Sequence, residues 1–96
     1  MKSICAVKGV SAWGIKERKF GLALIRASGT AAGVFTSNKV RAAPVEVMMD
    51  RMRRGTLDAV VVNSGCANAY TGERGYRDAL EMCSIAAAPL DRKSVV

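Results

Sequence analysis

The residues best suited to chemistry in this chain fall in one run, Asn63-Ser64-Gly65-Cys66-Ala67-Asn68-Ala69-Tyr70-Thr71-Gly72. Asn63 and Asn68 each bring two N–H donors and a carbonyl acceptor, and Ser64 and Thr71 bring hydroxyls. Gly65 and Gly72 let the backbone approach a ligand closely or adopt positive φ. One reading makes this run the wall of a ligand pocket, because backbone amides converge where a strand end feeds a helix start. The other makes it a turn whose polar side chains satisfy its own backbone. Both stay open on the residues alone. The spacing is not that of a phosphate-cradling loop, since no Gly-Lys-Ser/Thr closes it, and it is not GxGxxG. Cys66, just ahead of a helix start, could act as a nucleophile, but the chain has no histidine to activate it. A packed thiol is the reading preferred for Cys66, and more strongly for Cys5 and Cys83.

The missing histidines exclude a Ser-His-Asp triad, a Cys-His pair and a His-containing zinc site. Three widely spaced cysteines form neither a CxxC pair nor an even-numbered disulfide framework, which points to free buried thiols. Fifteen Lys and Arg against eight Asp and Glu give a net charge of +7, of which residues 1–30 carry +5. Lys16, Arg18 and Lys19 cluster around Glu17 as at a hairpin tip, and Arg51, Arg53 and Arg54 follow Asp50 on one helical turn. These read as solvated basic faces, because no nucleic-acid-binding signature accompanies them. The longest uncharged stretch, Ala59 to Gly72, is interrupted by polar residues and falls short of the roughly 20 apolar residues a membrane span needs. Lys8 cuts the opening apolar run too early for a secretory signal, so the expected location is cytoplasmic. Trp13, Met48, Met49 and Met52 are expected to pack.

The elements that must position the polar run follow from periodicity. Phe20 to Ser28 and Ala31 to Thr36 read as two strands joined at Gly29-Thr30, a hairpin near the front. Lys39 to Met48 reads as extended, because Pro44 lacks an amide hydrogen and Val45 and Val47 alternate with Glu46 and Met48. A short helical turn over Asp50 to Arg54 is closed by Gly55. Leu57 to Val62, with its Ala-Val-Val-Val core, predicts a strand buried on both faces. From about 72 to 87, Tyr76, Ala79, Leu80, Cys83 and Ala87 recur at helical spacing and predict one amphipathic helix. Thr71 is expected to cap it through its hydroxyl, and Pro89 to end it. Gly75, in the first turn, signals close packing. Lys93 to Val96 reads as the opening of a further strand.

Three blocks, Gly29 to Asn38 (GTAAGVFTSN), Val40 to Val45 (VRAAPV) and Val61 to Gly72 (VVNSGCANAYTG), resemble in order and spacing the bifunctional ornithine acetyltransferase/glutamate N-acetyltransferase family of arginine biosynthesis. The opening Gly9 to Ala12 (GVSA) and the Lys-rich lead into the first hairpin are similar too. The resemblance implies the N-terminal part of a layered α/β fold of the DmpA/ArgJ type. It implies a cytoplasmic enzyme that cleaves its own precursor ahead of a threonine, whose hydroxyl then becomes the nucleophile. The acetyl group would pass from N-acetylornithine to that threonine and on to glutamate by a ping-pong route, with no metal or redox cofactor and with acetyl-CoA as a further possible donor.

On this resemblance residues 1–96 are a single incomplete domain, the N-terminal portion of the alpha chain. Its partners are the remaining alpha segment and the beta chain in a hetero-oligomer, with no nucleic acid and no membrane. No catalytic residue and no metal ligand fall within 1–96, because the oxyanion-stabilising Thr-Gly pair follows the strand that begins at Lys93, and the nucleophilic threonine lies farther on. The chain alone is therefore expected to be inactive. Asn63, Ser64, Gly65, Asn68, Thr71 and Gly72 are its pocket or pocket-bracing candidates. Cys66 stands where many relatives carry Asn, and Tyr70 where Cys is common. Two other classes compete: a non-catalytic interaction module pairing through the sheet edge left after Val96, and a basic anion- or nucleic-acid-binding module using the N-terminal third.

Overall fold

The apolar run that follows Lys19 becomes the central strand of a small sheet. The computed structural model describes residues 3–90 and 94–96. Strand β1 (Ser11–Glu17) turns through Arg18 and Lys19 into β2 (Phe20–Thr30), and β2 pairs on its other side with β3 (Thr56–Ser64), giving an antiparallel sheet in the order β1-β2-β3. The basic cluster does sit at a hairpin tip, with Arg18 at φ 57° and the Lys19 ammonium over the Phe20 ring. The hairpin itself differs from the expected one. Ala31 to Thr36 is not a strand, and β2 runs on through Gly29 and Thr30 because a bulge places Ala27 and Ser28 opposite Asp58 alone. The Ser28 hydroxyl donates to Asp58 Oδ1 across that bulge at 3.0 Å.

The segment expected to be extended up to Met48 contains helix α1 (Ala43–Met52) instead. Pro44 lies in its first turn, where a missing N–H costs nothing because the first N–H groups of a helix have no internal partner. The apparent alternation of Val45 to Met48 yields to a four-residue period: Ala43 and Val47 face the core, and Val47 is only 2% exposed. The turn expected over Asp50 to Arg54 is the end of this helix, closed as anticipated at Gly55, whose φ of +70° suits glycine.

Helix α2 (Gly72–Ala87) stands where the periodicity placed it, with Gly75, Ala79 and Cys83 buried in line and Tyr76, Leu80 and Ala87 packed beside them. Both helices cover one face of the sheet. The core consists of Ala43, Val47, Ala59, Ala79, Cys83 and Val95, with Leu24 and Val61 supporting it from the strands. Its alanines let helix backbones come close to β3. Strand β3 is less enclosed than a strand buried on both faces: Ala59 is buried, yet Val62 is 45% exposed because no layer among the described residues covers the far face. Of the final stretch, Lys93 lies outside the described residues. Ser94 to Val96 runs parallel along the outer edge of β3, where Val61 N–H donates to Val96 O and Val96 N–H to Ala59 O.

Candidate functional site

β3 ends at Ser64, and the chain then turns through Gly65 to Thr71 into α2. Gly65 has φ +87°, and a Cβ there would run into the Lys19 backbone carbonyl, so the turn nests directly on the β1–β2 tip and only glycine fits. Ser64 lies opposite Gly21, which leaves room for its hydroxyl where a larger residue would not. Asn63 donates through Nδ2 to Cys66 O at 3.0 Å, tightening the turn on itself.

Asn68 is the hub. Its Nδ2 donates to Gly75 O in the first turn of α2 at 2.7 Å, its Oδ1 accepts from the Thr71 hydroxyl, and its main-chain O accepts from Ala43 N–H, one of the unpartnered donors at the start of α1. One residue thus ties the beginnings of both helices to the turn after β3. Thr71 occupies the N-cap position but does not cap through its hydroxyl as expected, because that hydroxyl is committed to Asn68. Gly75 is buried against both, and a Cβ on it would collide with Thr71 Oγ1 and meet Asn68 Oδ1. The close packing expected of Gly75 is therefore present.

The six candidate residues divide between two cavities. Asn63, Ser64, Gly65 and Asn68 line a space of about 810 Å³ whose other wall is apolar, built by Pro44, Val47 and Met48 of α1 and Met82 and Cys83 of α2. Thr71 and Gly72 line a separate space of about 390 Å³ with Lys39, Arg41, Glu46, Tyr70 and Tyr76. The larger cavity has the make-up of a small-molecule site, an apolar enclosure with a few convergent polar groups at one end. Its α1 wall escaped sequence reasoning. The pairs Ala43/Val47 and Pro44/Met48, each four apart, were the signal that would have found it.

Cys83 is buried on the cavity wall, and burial pushes its thiol above the ordinary value, with the nearby Arg51 guanidinium opposing the shift. It is a protonated packing group. Cys5 and Cys66 are exposed rather than buried, contrary to expectation, because each sits on a short surface segment ahead of or between the elements. Trp13 is also 58% exposed instead of packed, since it stands on the edge strand. Among the described residues no group of three His, Cys, Asp or Glu side chains is placed to hold a metal ion, and no helix is long and apolar enough to cross a membrane.

A sheet with helices on one face and a polar strand-to-helix turn over an apolar cavity defines an α/β protein with its candidate binding side at the end of β3. The chain belongs to the ArgJ family, whose sequence profile matches residues 7–96. It is 60% identical over 84 residues to the arginine biosynthesis bifunctional protein ArgJ of Archaeoglobus fulgidus, a match covering 88% of this chain and 22% of that protein. It is 58% identical over 88 residues to the glutamate N-acetyltransferase of Methanosarcina mazei, covering 91% and 22% respectively. The crystal structure of the ArgJ protein of Bacillus halodurans superimposes with a TM-score of 0.88 at 38% identity, covering 99% of this chain and 56% of that one. The ornithine acetyltransferase of Mycobacterium tuberculosis, solved in complex with ornithine, gives 0.77 at 41% identity, covering 88% and 48%. The chain thus spans 22% of the length of these two curated relatives.

Proposed function

We propose that this chain serves an acetyltransferase of arginine biosynthesis, which moves an acetyl group from N-acetylornithine to glutamate, with acetyl-CoA as a further candidate donor. The observation that carries the reading is the family match over residues 7–96, joined to a fold that superimposes on an ArgJ crystal structure across 99% of the chain. In this reading the enzyme is cytoplasmic, matures by self-cleavage ahead of its nucleophilic threonine, and assembles as a hetero-oligomer with the remaining alpha segment and a beta chain. Neither a metal nor a redox cofactor takes part.

The 96 residues contribute structure to that site and have no activity alone. Asn63, Ser64, Gly65 and Asn68 form the polar end of the pocket wall, and Thr71 and Gly72 brace it from the start of α2. The geometry supports both readings of the polar run at once. Asn68 and Thr71 spend their polar groups on the backbone and on each other, whereas Asn63, which lines the cavity, donates to Cys66 O and accepts no hydrogen bond through its side-chain oxygen among the described residues.

Acetyl transfer from labelled N-acetylornithine to glutamate tests this directly. The 96 residues alone should give no turnover, and the same chain combined with the complementary remainder of the Archaeoglobus relative should give turnover that Asn63→Ala lowers about tenfold, the size expected for one lost hydrogen bond to a reacting substrate. Turnover by the 96 residues alone, or a combined enzyme inert on both substrates, would overturn the proposal.

A further inference from the structure

Ala59, Val61 and Asn63 alternate onto one face of β3, the face on which Ala59 and Val61 meet the core. Ser64 falls on the opposite face, against Gly21. Asn63 is therefore the polar side chain that β3 carries on its core face to the cavity. Its Nδ2 donates to Cys66 O at 3.0 Å, and only the nitrogen end of an amide can face a carbonyl in this way. That bond fixes the rotation of the side chain, and the atom left to offer is Oδ1, an acceptor with no donor among the described residues. The bond is only as steady as Cys66 O. From Gly65 to Ala67 no other hydrogen bond holds the backbone among the described residues. The segment is fastened at its two ends, at Gly65 on the Lys19 carbonyl and at Asn68, whose amide joins Gly75 O and the Thr71 hydroxyl.

We infer, resting on the acetyltransferase reading above, that Asn63 takes the reacting nitrogen of the substrate through Oδ1, and that Asn68 is the positioning residue that keeps it aimed, acting through Cys66 O. In the first half-reaction the C–N bond of the acetamido group breaks as its acyl carbon bonds the enzyme's nucleophilic oxygen, whose proton leaves on the ornithine nitrogen. In the second, the glutamate nitrogen bonds that carbon, the acyl–oxygen bond breaks, and a proton returns to the oxygen. The nitrogen that gives up the acetyl group and the nitrogen that receives it thus occupy one place in turn. Both carry N–H, and one fixed acceptor suits both. Accepting from the glutamate amine also orients its lone pair, which attack on an acyl carbon requires. Asn68 does not touch the substrate. Its side chain ties the far end of the turn to the start of α2, and releasing it frees Cys66 O and with it the Asn63 amide.

The combined enzyme described above, made with variants of this chain, tests this through kcat/KM for each substrate, since in a ping-pong reaction each value reports its own half-reaction. Asn63→Ala should lower both values by about tenfold. Asn68→Ala should lower both by about fivefold when Asn63 is present, and by less than about twofold in the Asn63→Ala background, because residues that act as a unit are not additive. Thr71→Val loosens the Asn68 amide from its other side and should show the same dependence on Asn63, so the test stands even if Asn68→Ala folds poorly. Leu24→Ala, which thins the core away from the turn, should instead cost the same factor in both backgrounds, as a merely structural change does. An Asn68→Ala loss of equal factor with and without Asn63, or an Asn63→Ala effect on one substrate alone, would sink the inference and leave acetyl transfer standing. A combined enzyme inert on both substrates would sink the acetyltransferase reading and this inference with it.

Discussion

The two halves of the molecule are held together differently. On the helical side, α1, α2 and β3 converge on Ala43, Val47, Ala59, Ala79, Cys83 and Val95, and Asn68 fastens both helix starts to one turn. On the hairpin side, β1 has no buried residue, and Trp13, Ile15, Phe20 and Leu22 all stand in solvent. The hairpin is ordered by the ladder of β2 to β3 and by its tip lying under Gly65, with little burial of its own. The polar turn at the candidate site is therefore positioned by the packed half, while the other half offers surface. A chain that buries this little apolar area from one side has its stability concentrated in few residues.

That contrast can be broken by substitution, and the largest effect should come from Gly75→Ala. The added methyl collides with Thr71 and displaces Asn68, so a loss of about 3 kcal/mol is expected from overpacking and a broken, half-buried hydrogen bond, read as a lowered urea midpoint. Val47→Ala should follow at about 2 kcal/mol, the cost of deleting buried carbon where α1 meets the sheet. Asn68→Ala removes the side-chain bonds to Gly75 O and from the Thr71 hydroxyl and should cost about 1 kcal/mol, with faster amide exchange in the first turn of α2 as the local signature. Trp13→Ser should change stability by less than about 0.5 kcal/mol; a larger loss would mean that the hairpin side is packed after all.

The smallest effect concerns pH. Cys83 is raised above its ordinary value by burial, so its contribution to stability is fully present below the ordinary thiol range and is lost as pH rises through the folded-state value. The melting temperature should therefore fall more steeply in alkaline buffer for the native chain than for Cys83→Ala, and parallel curves would show that the thiol ionises without cost.

How much of this was legible in the sequence varied with the source of order. β3 and α2 were readable because their periodicities, a β-branched run and a 3.6-residue stripe ending in Cys83 and Ala87, are enforced by the same core that buries them. α1 was missed because Pro44 and a chance alternation outweighed the Ala43/Val47 pair, and only the tertiary position of the sheet decides between those patterns. Ala31 to Thr36 has strand-like residues, yet Val34 is 99% exposed; propensity without a ladder partner makes no strand. At the candidate site, the residue types in Asn63 to Gly72 announced a polar turn, but the allocation of Thr71 to Asn68 rather than to the helix backbone depends on Gly75, seven residues away from Asn68.

The parallel alignment of Ser94 to Val96 on β3 has a consequence for the order of synthesis. β1 and β2 are neighbours in sequence and can pair as soon as both emerge from the ribosome. The outer edge of Ala59, by contrast, must wait for α2 to be made before Val95 arrives, a delay on the order of seconds at ordinary elongation rates. During that interval the β3 edge is open and apolar. The nascent chain is therefore most exposed to misassociation at Val60 to Val62, and that is the window in which a chaperone would have most to do.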